Sequence, residues 1–308
     1  MKLDIMTLVN CEITLMIPVF LGFIISKTGI LTEEFSRKLA SFMLYCLHPL
    51  YVITAVCGIE RTEETLGELW KTALLSLGVH LFIAVIAVFV LMPMKNVEKK
   101  NIIRAGLIFR NVGFFAVPIL GEIFGEIGAF RGAVNLVVFN FLFWTLCTAI
   151  LNRAKGERSS FRSVFNIGTL ACVAGIVIFV SGIKIYPPVF DSMKSVGSAC
   201  MPVSLIIIGG IIGRQPVKQM FTNVTAYVSA GAALTVLPVI VMFAARLVGL
   251  PEKDVVFATV TAAVPMATNV AAYAETKNAD PPFAAQLVGL SVLMTMLTLP
   301  LLPLIFKL

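Results

Sequence analysis

Charged residues in this chain are held to short breaks between apolar runs of about twenty residues, and that spacing constrains the fold more than any motif does. Crossing the hydrocarbon of a bilayer takes about 20 residues of helix. Ten such runs can be read, at about 5–26, 38–58, 70–94, 102–124, 130–151, 167–184, 193–213, 222–248, 255–274 and 283–306. With 58% hydrophobic and 13% charged residues, the chain lacks the polar matter that wets a soluble domain, about 25% charge on average. The expected class is an all-α polytopic membrane protein of ten transmembrane helices. The net charge of +7 belongs to flanking loops at an anionic lipid surface, and no nucleic-acid motif accompanies it. The lipid bilayer is the partner this implies, and nucleic acid is excluded. No small-residue cleavage site follows the first apolar run, which reads as a retained span. The six cysteines lie in or at the edge of apolar runs, as packing side chains do, without metal-ligand spacing.

The most polar break, "NRAKGERSSFRS" at 152–163, divides the chain nearly in half. At an offset of 153 residues Gly22 matches Gly175, Gly29 and Ile30 match Gly182 and Ile183, and Pro49 matches Pro202. The fourth run of each half is also interrupted, by "NVGFFAVP" and by "VPMATNVAAYAE". Five spans per half oblige the second half to enter the membrane in the opposite sense, so the expectation is an inverted repeat. Its parts are residues 1–151, a basic midloop at 152–166, and residues 167–308. Lysine and arginine favour the odd-numbered loops and the midloop, while Glu60, Glu63, Glu64 and Glu68 crowd the loop between spans two and three. The basic side faces the cytoplasm. Both termini are therefore expected outside it, with the protein integral to the cell (inner) membrane.

The stretch beginning at Phe109, "FRNVGFFAVPILGE", places an arginine, an asparagine, a glycine and a proline inside an apolar run. Proline in a helix removes a hydrogen bond and clashes with the preceding turn, and lipid satisfies none of the freed backbone. Such a break survives where protein, water or a ligand supplies the partners. Two breaks, at 111–118 and 265–269, each join a proline to an asparagine near mid-span. If they cross, half-helix N-termini converge on a small cavity, a geometry that attracts anions. Asn111 and Asn269 suit a carboxylate, an ion or the opened backbone itself. Pro18, Pro93, Pro238 and Pro303 read as ordinary kinks.

"NVGFFAVP" resembles the N-x-G-x-x-x-x-P segment of the auxin efflux carrier family, whose plant members are the PIN proteins. "VPMATNVAAYAETKNADPPFAAQLVGLSVLMTMLTLPLLP" is similar to that family's ninth and tenth spans, and "NLVVFNFLFWTLCTAIL" to its fifth. The resemblance implies an NhaA-like fold in which spans 1, 2, 6 and 7 form a dimerising scaffold. Spans 3–5 and 8–10 then form a mobile transport unit, whose fourth and ninth helices cross at Pro118 and Pro265. It also implies a homodimer. Ala116 stands where the family usually has glycine, and "TKNAD" lacks the aromatic-glycine pair common there.

The expected substrate-binding residues are Asn111, Gly113, Pro118, Pro265, Met266, Thr268 and Asn269, with Arg110, His48 and Pro49 as further candidates. Arg110 is an intramembrane charge; pairing with a substrate carboxylate, snorkelling, and pairing with Glu12 or Glu122 are its three readings. His48 is either a proton carrier or a packed neutral histidine, and His80 is read as structural. The function expected is a secondary transporter, working as an elevator, that exports a small carboxylate. An ion-coupled importer of dicarboxylates such as malate or malonate is the alternative. No cofactor or metal is implied, and a coupling H⁺ or Na⁺ is left open. A channel needs a continuous polar stripe, a sensor an appended domain, and a hydrolase a motif such as G-x-S-x-G or H-E-x-x-H; none is seen.

Overall fold

The computed structural model describes residues 5–154, 167–214 and 223–301. The helices there are α1 (Ile5–Lys27), α2 (Glu33–Cys57), α3 (Glu63–Val90), α4 (Val97–Ile108), α5 (Val112–Phe124) and α6 (Glu126–Asn152). They continue as α7 (Ile167–Ser181), α8 (Pro187–Arg214), α9 (Val224–Leu247), α10 (Glu252–Ala263), α11 (Thr268–Lys277) and α12 (Pro281–Leu301). Six of them (α2, α3, α6, α8, α9 and α12) are long and apolar enough to cross a membrane, and Ile13–Lys27, α5 and α7 are shorter apolar helices. The described residues contain no strand, only one isolated antiparallel bridge.

Local chemistry fixes the helix ends. Thr32 accepts from the Phe35 amide at the start of α2, and Thr62 with Thr65 closes a capping box on α3. Asn96, Asn223 and Asp280 cap α4, α9 and α12 through their side chains. Gly29 and Gly182 take left-handed backbone (φ 79° and 70°) just past α1 and α7, where a side chain would be strained.

The prolines behave in three ways. Pro18 and Pro238 lie inside α1 and α9, as expected of kinks. Pro93 instead sits in the turn after α3, where it ends a helix. Pro303 lies outside the described residues, as do most of the midloop and the Glu12 side chain. Pro49 and Pro118 each follow a five-residue π turn, Met43–Leu47 and Val112–Ala116. In both turns the amide before the proline reaches five residues back, His48 to Met43 and Val117 to Val112. Widening the turn moves the carbonyl that the proline ring would strike, so the helix continues through the proline.

Two glycine contacts set the packing of the outer helices. A Cβ on Gly22 of α1 would stand 2.1 Å from the Ile206 carbonyl oxygen of α8. Gly209 and Gly213 of α8 admit the α1 backbone in return. On the other side a Cβ on Gly175 of α7 would stand 3.5 Å from Ile53 Cα of α2.

Buried polar groups pin α3, α6 and α10 together. Arg131 of α6 donates from Nη2 to Asp254 of α10 at 2.5 Å and from Nε to Thr72 of α3 at 3.3 Å, with Glu68 of α3 at 3.8 Å. Its guanidinium lies 4.7 Å from the Phe257 ring centroid. Farther along, Ser76 donates to Asn135 (2.6 Å) and Asn135 to Thr261 (2.9 Å). His80 takes the structural place expected of it, with Nδ1 2.8 Å from the Ser76 carbonyl.

Candidate functional site

The two broken segments meet. α4 stops at Ile108 and α10 at Ala263, and residues 109–111 and 264–267 run past each other as an antiparallel pair centred on Arg110 and Met266. The Asn111 amide donates to the Pro265 carbonyl at 2.7 Å, and the Ala267 amide to the Phe109 carbonyl at 2.8 Å. Each break thus supplies the backbone partners that the other lost and that lipid cannot give. Pro265 has no N–H, and here only its carbonyl is needed. Ser291 of α12 satisfies the Met266 amide at 3.0 Å.

Beyond the pair the chains turn back into helix as α5 and α11. Neither start carries a side-chain cap. The first amides of a helix have no intrahelical acceptor and stand at the positive end of its dipole. Both starts border a cavity of about 10 Å³, room for about one water. Its polar wall is His48 and Tyr51 of α2 with Asn111 and Asn269; its apolar wall is Val112, Phe114, Leu136 and Phe139, with Gly113 and Ala267 between.

α2 closes this cavity with two contacts one turn apart. Asn269 donates its amide to His48 Nε2 at 3.3 Å, which puts the imidazole proton on Nδ1, and the Tyr51 hydroxyl donates to the Gly113 carbonyl at 2.7 Å. His48 Nδ1 and Asn111 Nδ2 are buried without a partner among the described residues. Two donors are therefore left to a molecule that enters.

Four of the expected residues, His48, Asn111, Gly113 and Asn269, come together around the cavity. The others do not line it. Side chains alternate along an extended segment, so Arg110 and Met266, the bridged pair, point away from the side that Asn111 and Ala267 present. Arg110 is fully buried, and its Nη2 donates to the carbonyls of Val264 (2.5 Å) and Ala233 (3.3 Å), while Nε and Nη1 have no partner among the described residues. It neither snorkels nor meets Glu122; its charge stands where α4 and α10 end, against their negative dipole ends. The crossing lies at 109–111, not at Pro118, which follows the π turn and is exposed on α5. Pro49 is buried in α2, and Pro265 and Thr268 belong to the break without lining the cavity.

Tyr51, Leu136 and Phe139 were not legible as site residues. Tyr51 carried one signal, its place a single turn after His48 on the same helix face. A larger crevice of about 250 Å³, between α9, α10 and α12, is lined by Leu234, Pro238, Met242 and Ala263 and offers no charged or amide side chain among the described residues.

The family model described as "Membrane transport protein" matches residues 156–303. It is that of the auxin efflux carrier, PIN-like family, and it covers α7 to α12. Comparison with curated proteins finds no match. The family is one of transporters, so the match and the long apolar helices agree on an integral membrane transporter.

Proposed function

We propose that the protein moves a small organic anion across the membrane by alternating access, with the carboxylate held where α5 and α11 begin. One observation carries this reading: two uncapped helix starts converge on a cavity lined by Asn111 and Asn269, with one buried amide donor still free. Positive dipole ends and unpaired N–H groups bind anions without any cation in the wall.

The reading extends to ten spans, with α4 plus α5 as the fourth and α10 plus α11 as the ninth, in two inverted repeats of NhaA-like type. Repeat-related contacts support it. Gly22 meets Ile206 and Gly175 meets Ile53, and both members of the second contact follow from the first by the offset of 153. Gly29 and Gly182, at the same offset, both end their helices in left-handed backbone. In this scheme α1, α2, α7 and α8 are the scaffold of a homodimer, and the remaining helices, pinned by Arg131 and its partners, are the moving unit. A cavity closed by His48 and Tyr51 admits a carboxylate only when α2 and the breaks separate, as an elevator requires. Export is the direction proposed, from an inner membrane in which the termini are extracytoplasmic.

The test is a thermal-shift screen of purified protein against benzoate, phenylacetate, malonate and malate, with and without Na⁺ and across pH. A monocarboxylate that raises the melting temperature, and loses that effect in Asn111→Ala, supports the reading. Stabilisation by malonate or malate that requires Na⁺ replaces export with dicarboxylate import. Failure of every carboxylate contradicts the site.

A further inference from the structure

The cytoplasmic end of α11 carries a buried ion pair that the substrate site does not use. Glu275 is 4% exposed, and Arg214 at the end of α8 lies 3.5 Å from its Oε1. The two residues belong to different bodies in the elevator scheme, Arg214 to the scaffold and Glu275 to the moving unit. Their dependence on each other is unequal. Arg214 also donates to the carbonyls of Leu31 and Thr32, both at 3.3 Å, and its side chain is 22% exposed. Glu275 Oε1 is buried with no hydrogen bond among the described residues.

The surrounding charges do not replace Arg214. Glu33 and Arg37 at the start of α2 face the carboxylate with opposite signs. From α4, Lys99 lies over the Phe283 ring, Lys100 donates to the Met92 and Met94 carbonyls, and Arg104 donates to Asn101. Lys277, on the same helix, lies 6.0 Å from the Tyr273 ring centroid. α12 contributes no ionisable side chain.

We propose that Glu275 is the proton-binding site that makes H⁺ the coupling ion of this transporter. The inference rests on the two-body reading above. While the pair is closed, burial of Glu275 favours its neutral acid and Arg214 beside it favours the carboxylate, and the contact ties the two bodies together. If α11 moves with its unit, the guanidinium keeps its two carbonyls, but the carboxylate is left buried without a counter-cation, which costs several kcal/mol unless it is neutralised. A proton taken from water at the exposed edge of Arg214 forms the neutral acid, and the charge of the pair passes to the arginine. Acid therefore favours separation, and separation favours proton uptake, by the same linkage.

Hydrogen–deuterium exchange of the protein in lipid nanodiscs tests this without any substrate. Between about pH 8 and pH 5, corrected for intrinsic rates, protection of residues 268–277 should fall about tenfold or more. Glu275→Gln should show the low-protection pattern at every pH. Arg214→Gln, which keeps the carboxylate, should flatten most of the response, so the proposal stays testable if the first variant folds poorly. A wild type with no response overturns it. So does a response that survives Glu275→Gln, which would put the titrating group elsewhere. Neither outcome depends on what the cavity at Asn111 binds, and failure of the carboxylate screen leaves this result standing as a proton-driven conformational change.

Discussion

Asn111→Ala separates recognition from folding at this site, because the amide it removes has nothing to lose in the closed protein. Asn111 Nδ2 is buried without a partner among the described residues, and its side chain caps neither helix. Truncation breaks no hydrogen bond of Nδ2 and relieves one orphaned donor. The melting temperature should therefore stay at the wild-type value or rise slightly. Binding is different, since a hydrogen bond to a charged group contributes about 1.5–3 kcal/mol. That is roughly a ten- to hundredfold loss in carboxylate affinity. Asn269→Ala should lose comparable affinity and also some stability, about 0.5–1.5 kcal/mol, because Asn269 donates to His48. Melting temperature and affinity for the best carboxylate of the screen, measured by calorimetry on the same samples, give both numbers. Wild-type affinity in Asn111→Ala would refute the reasoning. Lost stability with unchanged affinity would make the asparagine a repair to a broken helix.

Asp254→Ala leaves the buried Arg131 with Glu68, at 3.8 Å, as its remaining carboxylate partner, and should destabilise by about 3 kcal/mol or more in a denaturation series. Gly22→Ala forces a Cβ onto the Ile206 carbonyl and should cost about 1–3 kcal/mol, whereas Gly175→Ala makes an ordinary contact and should be neutral within about 0.5 kcal/mol. Arg110→Ala strips the Val264 carbonyl of its donor, so stability should fall by about 1–3 kcal/mol while carboxylate affinity stays within about twofold, because Arg110 faces away from the cavity. Cysteine accessibility should place Lys99 and Arg158 on the cytoplasmic side and Glu64 on the other; finding all three on one side removes the proposed orientation.

Both breaks were legible in the sequence, at 111–118 and 265–269, but the crossing expected at Pro118 lies at 109–111. At Pro265 the proline lies in the gap itself, and its carbonyl accepts from Asn111. In the first break the proline misleads. A π turn before Pro118 keeps the helix continuous, and the chain opens seven residues earlier, at Asn111, where no proline marks it. Asparagine adopts such non-helical backbone readily, here φ −76° and ψ 65°, and that was the better signal. Arg110 misled for another reason: helical periodicity puts it beside Asn111, whereas the pair is extended and alternation sends it to the opposite face. Tyr51, Leu136 and Phe139 come from elements distant in sequence, and no local pattern distinguishes them from packing residues. The Arg131–Asp254 pair joins residues 123 apart, which only the packing of α6 against α10 brings together.

The central claim is that a carboxylate sits between the starts of α5 and α11. Its most direct test is a structure of the protein with 4-bromobenzoate, in which anomalous scattering locates the bromine and density locates the carboxylate. The carboxylate oxygens should lie about 3 Å from the Asn111 and Asn269 amides, with the bromine against Phe114, Leu136 and Phe139. A carboxylate bound beside Arg110, or in the crevice between α9, α10 and α12, would contradict it.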